Sequence, residues 1–142
     1  MMYLLDTNVL SELRRRDRMD PAVASWADSV DQDALHLSVV TVLEVEMGVQ
    51  SVERRDARQG ALLRRWLEER VLPAFEGRIL PIDTPIARAC AGLHVPDRRS
   101  ERDALIGATA LVHGMFVVTR NTADFAPMRV RLIDPWTYEA SR

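Results

Sequence analysis

The first ten residues place a carboxylate directly after an apolar segment. Residues 2–5 are mostly apolar and are followed at once by the polar triplet Asp6-Thr7-Asn8. An apolar run of this length is typical of a buried strand, whereas Asp, Thr and Asn favour a turn or a helix cap. Because residues 9–13 continue at helical spacing, the segment predicts a strand, a turn and a helix. Asp6 would then stand at the carboxyl end of a strand, where ligands bind in open parallel α/β sheets.

The rest of the chain repeats this alternation of strands and helices. Further strands are predicted over residues 34–40, 78–83, 115–118 and 130–133, with helices between them, including a long helical segment over residues 51–77. The alternation predicts an α/β fold with a central, mostly parallel sheet of four to five strands flanked by helices. No linker or internal repeat divides the chain, so we expect one domain over residues 1–142, with a loose tail from about residue 136.

Composition limits the possible functions. The chain has 142 residues, of which 47% are hydrophobic and 28% charged, as in an ordinary globular protein. No apolar run is long enough to span a bilayer, and acids interrupt any signal peptide, so we expect a cytoplasmic protein. The single cysteine, Cys90, fits a reducing compartment. A net charge of −2 gives no global basic field for nucleic acid, and all 19 basic residues are arginine.

Four acids occur at helix starts or in turns, and three of them, Asp6, Glu44 and Asp124, follow predicted strands. Each has a structural explanation when it is taken alone. Thr41-x-x-Glu44 matches a capping box, and Ser100-x-x-Asp103 resembles one. Asp6 could cap the first helix, and an Asx turn would explain Asp124.

Taken together, these acids point to a metal site. The strand ends of a parallel sheet meet at one edge, so the four carboxylates would converge and repel one another unless a cation neutralised them. Oxygen ligands without histidine or cysteine suit Mg²⁺ or Mn²⁺ and not zinc. Two such ions, about 3.5–4 Å apart, commonly cleave phosphodiesters by activating a water and stabilising the leaving oxygen.

Four segments, in order, resemble the motifs of PIN-domain ribonucleases. They are residues 4–10 with Asp6, residues 38–48 with Glu44, residues 103–110 with Asp103, and residues 118–125 with Asp124. The resemblance covers essentially the whole chain and is closest to the VapC toxins, in particular their FitB-like branch. It implies a single PIN-like domain and a Mg²⁺-dependent endoribonuclease, with Mn²⁺ as a possible substitute.

The resemblance also implies roles for individual residues. Asp6, Glu44 and Asp103 would be the core metal ligands, and Asp124 would complete the quartet directly or through water. Asn8 and Thr119 would orient ligands or the scissile phosphate by hydrogen bonds. Asn121 stands where many PIN domains have a further acid, so a second metal would have one carboxylate fewer here than in those proteins.

The resemblance implies partners as well. The chain would be the toxin of a type II toxin–antitoxin pair, held by a VapB-like antitoxin whose tail lies near the acids. RNA would be the substrate, and the working form would be a homodimer, alone or within a larger toxin–antitoxin assembly. The apolar helices around residues 42–52 and 62–72 are candidates for these contacts, although their apolar stripes are equally compatible with plain core.

Two other functions compete with this interpretation. An aspartate-nucleophile phosphatase would use Asp6, but it wants an acid two residues later, where this chain has Asn8, and commonly needs a lysine. A PIN fold kept only for binding is the other alternative, although an inactive copy would be expected to have lost one of the acids. Glu46 lies about 200° around the helix from Glu44 and is expected to face away from the site.

Overall fold

The computed structural model describes residues 1–140, apart from the side chain of Arg16. Five strands form one sheet in the order β3-β2-β1-β4-β5, and every neighbouring pair is parallel. The predicted α/β class and sheet are therefore confirmed. The strands are β1 (Tyr3–Leu5), β2 (Leu35–Ser38), β3 (Ile79–Leu80), β4 (Phe116–Val118) and β5 (Leu132–Ile133).

Helices cover both faces of this sheet. The α-helices are α1 (Thr7–Leu13), α2 (Pro21–Ser29), α3 (Val39–Arg55), α4 (Ala57–Trp66), α5 (Leu72–Ala74), α6 (Thr84–Leu93), α7 (Glu101–His113) and α8 (Thr122–Phe125). A π-helical turn, Leu67–Val71, joins α4 to α5. In the described part of the chain, no helix is both long and apolar enough to cross a membrane.

Side chains at the helix ends explain several boundaries. Asp20 caps α2 through the backbone N–H groups of Ala22 and Val23, and Pro21 occupies the first turn, as the sequence predicts. Gly114 ends α7 with a φ of 68°, a conformation that glycine adopts without a steric penalty. The long helical segment predicted over residues 51–77 is broken at Asp56, which ends α3 and caps α4 through Gln59 N–H at 3.1 Å.

Alternate strand residues pack into two separate hydrophobic cores. Leu5 and Val118 belong to the cluster on one face, and Leu4 and Val117 to the cluster on the other. All four side chains are fully buried. This pattern is expected when successive residues of a strand point to opposite faces and helices cover both faces of a parallel sheet.

The strand order fixes where a ligand crevice opens. The chain moves from β1 outwards to β2 and β3, and then returns past β1 to β4. The direction of winding therefore reverses between β1 and β4, and the crevice beyond their carboxyl ends is the usual ligand position in such sheets. Asp6 follows β1 and Thr119 follows β4 at this position.

The prediction of a loose tail from about residue 136 is wrong as far as residue 138. Pro135–Thr137 form a 3-10 turn capped by Asp134, and Trp136 and Tyr138 pack against the first core cluster. Two aromatic side chains supply enough apolar surface to hold a short segment in place. Residues 141 and 142 of the predicted tail lie outside the described residues.

Candidate active site

Asp6 is held at the turn from β1 into α1. Its backbone N–H donates to Val118 C=O at 2.9 Å, and its side chain caps α1 by accepting from Thr7 N–H at 2.9 Å. The residue is only 6% exposed. Asp6 therefore caps the first helix, as its sequence position allowed. Capping uses only one carboxylate oxygen, Oδ1, and leaves the second, Oδ2, for other partners.

Thr119 positions that second oxygen. Its buried hydroxyl donates to Asp6 Oδ2 at 2.8 Å, and it accepts from Asn8 Nδ2 at 3.2 Å and Asn121 N–H at 3.0 Å. A hydroxyl has one proton and two lone pairs, so every hydrogen-bonding position of Thr119 is used. Such a completely satisfied group fixes the direction of the carboxylate that it contacts.

Asn8 reinforces the same arrangement. Its amide also donates to Asp6 Oδ2 at 3.2 Å, while its carbonyl oxygen accepts from Arg120 N–H at 3.1 Å. The acceptor contact determines which way the amide points. The structure thus places Asn8 and Thr119 on Asp6, where residues that orient a ligand need to be.

Glu44 reaches the site from the second turn of α3, not from the first turn as predicted. The helix begins at Val39 because the Ser38 hydroxyl accepts from Val40 N–H at 3.0 Å. Thr41 is buried and its hydroxyl lies 3.5 Å from Leu5 O, so the predicted capping box with Glu44 does not form. Glu44 Oε1 instead accepts from the Thr7 hydroxyl at 2.9 Å.

Asp103 is a partly buried acid whose pKa is raised. It lies in the first turn of α7, where its backbone N–H is 3.5 Å from the capping Ser100 hydroxyl. Burial raises the pKa of Asp103 to about 6, and the negative charges of Asp6, Asp124 and Glu44 add to the increase. Asp6, Asp124 and Glu44 are therefore the carboxylates whose charges reach Asp103.

Asp124 joins the group from the short helix after β4. Its backbone N–H donates to Asn121 C=O at 3.1 Å, and the neighbouring Phe125 is fully buried, which anchors α8 to the second core cluster. The acid thus lies in a helical turn rather than in an open loop. Its contribution to the pKa of Asp103 is what links it to the site.

The donor set fits a hard divalent cation. All four side chains are carboxylates, the ligands that Mg²⁺ prefers. A bound cation would also relieve the repulsion that the other three carboxylates exert on Asp103. Within the described residues, no three histidine, cysteine, aspartate or glutamate side chains are already drawn together closely enough to hold a metal. The assignment of Asp6, Glu44, Asp103 and Asp124 as metal ligands stays a prediction.

Glu46 lies outside this group, as expected. It pairs with Arg64 of α4 at 2.8 Å, and this hydrogen bond holds the pKa of Glu46 below its usual value. The sequence analysis missed two residues that contact Glu44, namely Thr7 and Arg102. Thr7 stands between two site residues in the first motif, and Arg102 directly precedes Asp103. Their position next to predicted site residues could have identified both.

Comparison with known proteins shows the family of the chain. The model of the PIN domain family matches residues 3–129. The chain is 37% identical over 140 residues to VapC ribonuclease Y4jK of Sinorhizobium fredii, covering 95% of this chain and 98% of that one. It is also 37% identical over 141 residues to Toxin FitB of Neisseria gonorrhoeae, with 95% and 99% covered.

Solved structures show the same relationship. The crystal structure of FitAcB from Neisseria gonorrhoeae superposes with a TM-score of 0.87 at 35% identity, covering 96% of this chain and 99% of that one. A toxin-antitoxin complex from Klebsiella pneumoniae superposes with a TM-score of 0.68 at 27% identity, with 97% and 99% covered. Fold and sequence identity over nearly the whole length agree, and the chain belongs to the PIN-domain family, in its group of VapC and FitB proteins.

Proposed function

We propose that the protein is a Mg²⁺-dependent endoribonuclease that acts as the toxin of a VapBC-type toxin–antitoxin module. The feature that carries the proposal is the set of acids from separate elements around Asp103, whose pKa is raised by burial and by the charges of Asp6, Asp124 and Glu44. Two full-length relatives, one named a VapC ribonuclease and the other Toxin FitB, support the choice of RNA as substrate and of toxin as role.

The mechanism assigns a task to each side chain. Asp6, Glu44, Asp103 and Asp124 would hold the cation, with Mn²⁺ as a substitute for Mg²⁺. When bound, the cation supplies positive charge that activates a water and stabilises the leaving oxygen of the phosphodiester. Thr119 and Asn8 keep Asp6 Oδ2 in one direction, and Thr7 does the same for Glu44 Oε1. This preorganisation is what positions reacting groups for hydrolysis.

The proposal includes a protein partner. One neighbour in structure is a toxin-antitoxin complex, and a VapB-like antitoxin is accordingly the proposed partner here. A cavity of about 470 Å³ beside α1 and α4 is lined by apolar residues, including Leu10, Leu13 and Phe75, together with three arginines. It would accept apolar side chains of the antitoxin. Leu43 and Met47 of α3 are about half exposed and would suit the proposed homodimer contact. An RNA substrate and a single cysteine support a cytoplasmic location for the proposed activity.

The function is tested with purified, antitoxin-free protein. Total RNA and synthetic RNA are incubated with Mg²⁺, with Mn²⁺ and with a chelator, and Asp6→Ala serves as the inactive control. We expect discrete cuts that need a divalent cation and disappear in the variant. If no RNA is cut while RNA or antitoxin binding persists, the protein is a PIN-fold binding module instead.

Thr119→Val is expected to weaken the cation site without removing a ligand. Valine matches threonine in shape but leaves Asp6 Oδ2 without its shortest hydrogen bond. Loss of an orienting hydrogen bond typically costs about ten- to a hundredfold in metal affinity or activity. The measurement is the Mg²⁺ concentration for half-maximal cleavage, with Thr119→Ser, which restores the hydroxyl, as control. Equal Mg²⁺ dependence of both variants would contradict the orienting role.

Acid pH is expected to inhibit cleavage at limiting Mg²⁺. A proton and a cation compete for the Asp103 carboxylate, whose pKa is raised to about 6. The carboxylate is mostly ionised at pH 7 and becomes protonated as the pH falls through about 6, so activity should fall over the same interval. Saturating Mg²⁺ should move the midpoint to lower pH. A midpoint near 4 at limiting Mg²⁺ would argue against the raised pKa.

A further inference from the structure

One arginine lies against the carboxylate group of the candidate site. Arg102 Nη1 is 3.5 Å from Glu44 Oε2, while the other oxygen of Glu44 accepts from the Thr7 hydroxyl. Both oxygens of this acid are therefore occupied by groups of the chain itself. A divalent cation held by Glu44 would compete with the guanidinium for the same oxygen.

The position of Arg102 is unfavourable for a purely structural role. It lies in the first turn of α7, where the helix dipole favours negative charge and opposes a cation. Its side chain is 47% exposed and that of Glu44 is 26% exposed, and ion pairs in such surroundings contribute little to stability. The pair is consequently easy to exchange, and the surrounding acids explain why a guanidinium is attracted there at all.

We propose that Arg102 is an exchangeable counter-ion of Glu44, paired with the acid when the site lacks a cation and released to bind an RNA phosphate when a cation arrives. This inference rests on the proposed function. It makes Arg102 a positioning residue that sets the cation concentration at which the protein becomes active.

The two halves of the exchange follow from charge. A divalent cation at Glu44 repels the guanidinium and removes its partner, and the exposed side chain is then free to turn towards solvent. Guanidinium groups bind phosphate oxygens through paired N–H donors, and the substrate proposed here brings a phosphate to this position. Arg102 should therefore lower the affinity for the free cation and raise the affinity for RNA.

The first test measures cation binding without RNA. Mn²⁺ is titrated into wild-type protein, Arg102→Gln and Arg98→Gln, and free Mn²⁺ is followed by electron paramagnetic resonance. Arg98 is exposed on the loop before α7, so its variant changes the net charge equally. We expect Arg102→Gln to bind Mn²⁺ roughly three- to tenfold more tightly, as removal of one nearby unit charge implies. Unchanged or weaker binding, or an equal gain in Arg98→Gln, would overturn the proposal.

The second test separates the two halves in the cleavage assay. At saturating Mg²⁺, Arg102→Gln should raise the KM for RNA and leave kcat nearly unchanged, while the Mg²⁺ concentration for half-maximal activity falls. Arg102→Lys changes the side chain but keeps its positive charge, and it should bind Mn²⁺ like the wild type. Wild-type binding by this variant would show that the charge, and not a disturbance of the fold at position 102, sets the Mn²⁺ affinity. If the wild type binds Mn²⁺ and cuts RNA but Arg102→Gln behaves identically, only this inference fails. If the wild type neither binds Mn²⁺ nor cuts RNA, the proposed function fails with it.

Discussion

Asp103→Asn is expected to abolish RNA cleavage and, at neutral pH, to stabilise the cation-free protein. Removing a ligand carboxylate should reduce activity by more than the roughly ten- to hundredfold that is typical for residues that only orient a ligand. The same change removes a charge from a group of acids that repel one another, since the pKa of Asp103 is raised by burial and by three neighbouring carboxylates. Loss of function and gain of stability are expected in one variant.

The sign and size of the stability effect follow from proton binding. The pKa of Asp103 rises from an ordinary value of 3.8 to about 6 on folding, so the folded state binds the proton more tightly than the unfolded state. Ionised Asp103 therefore destabilises the fold, and stability falls as the pH rises from about 4 to 6. A shift of two pKa units corresponds to about 3 kcal/mol. Asp103→Asn also loses an interaction with the helix dipole worth about 0.3–1 kcal/mol, and partial solvent exposure weakens the repulsion. We therefore expect the free energy of unfolding to rise by a net amount of about 1–2 kcal/mol.

Urea unfolding at pH 7 in the presence of a chelator measures this gain. Glu101→Gln is the matched control, because Glu101 is exposed in the same first turn of α7 and carries the same charge. It should be neutral or slightly destabilising, since it loses only the dipole interaction. At pH 4 the advantage of Asp103→Asn should vanish. Added Mg²⁺ should stabilise the wild type, by linkage to binding, and have little effect on Asp103→Asn. Equal stability of wild type and Asp103→Asn at pH 7 would show that the acids do not repel.

The strands and helices around the site could be predicted from the sequence, whereas the hydrogen bonds between side chains within the site could not. The switch from an apolar strand to Asp6-Thr7-Asn8 is local, and the structure confirms a strand, a cap and a helix there. Convergence of the acids was predicted from one general property of parallel sheets, their shared carboxyl edge. That property covers Asp6, Glu44 and Asp124, whereas Asp103 lies on α7, which follows α6 and not a strand. The pairing of Thr119 with Asp6 joins residues 113 positions apart, and no periodicity in the sequence reports such a contact.

Where the sequence analysis erred, two local signals competed and tertiary packing chose between them. Thr41 and Ser38 are both acceptable helix caps, but Thr41 is fully buried against Leu5, so Ser38 takes the cap and α3 starts earlier. Glu44 is thereby moved into the second turn. In the tail, the absence of a regular pattern suggested a loose segment, although Trp136 and Tyr138 have enough apolar surface to pack.

The break between α3 and α4 lies at Asp56, a few residues beyond the helix end predicted near residue 52. The close packing of these two helices gives the second large expected effect, in Gly60→Ala. A Cβ atom at Gly60 would lie 2.4 Å from Glu53 Cα and 2.8 Å from Glu53 N, which are backbone atoms of α3. The two helices must separate to admit a methyl group. Arg64, which bridges to Glu53 at 2.7 Å across the same contact, would be displaced with α4. We expect a net loss of about 2 kcal/mol, because overpacking against backbone atoms costs about 3 kcal/mol and the helix propensity of alanine returns up to about 1 kcal/mol.

Gly48→Ala separates the steric cost from the effect of alanine on helix stability. Gly48 is an exposed residue of α3, and a Cβ atom there meets nothing within 4 Å. This variant should gain up to about 1 kcal/mol from helix propensity alone, so the two glycine variants should shift the urea midpoint in opposite directions. A shift of the same sign in both would mean that helix propensity, and not the close approach of α4 to Glu53, governs this hairpin. Because Glu44 lies on α3, separation of the helices should also weaken cleavage by Gly60→Ala, whereas Gly48→Ala should cleave RNA normally.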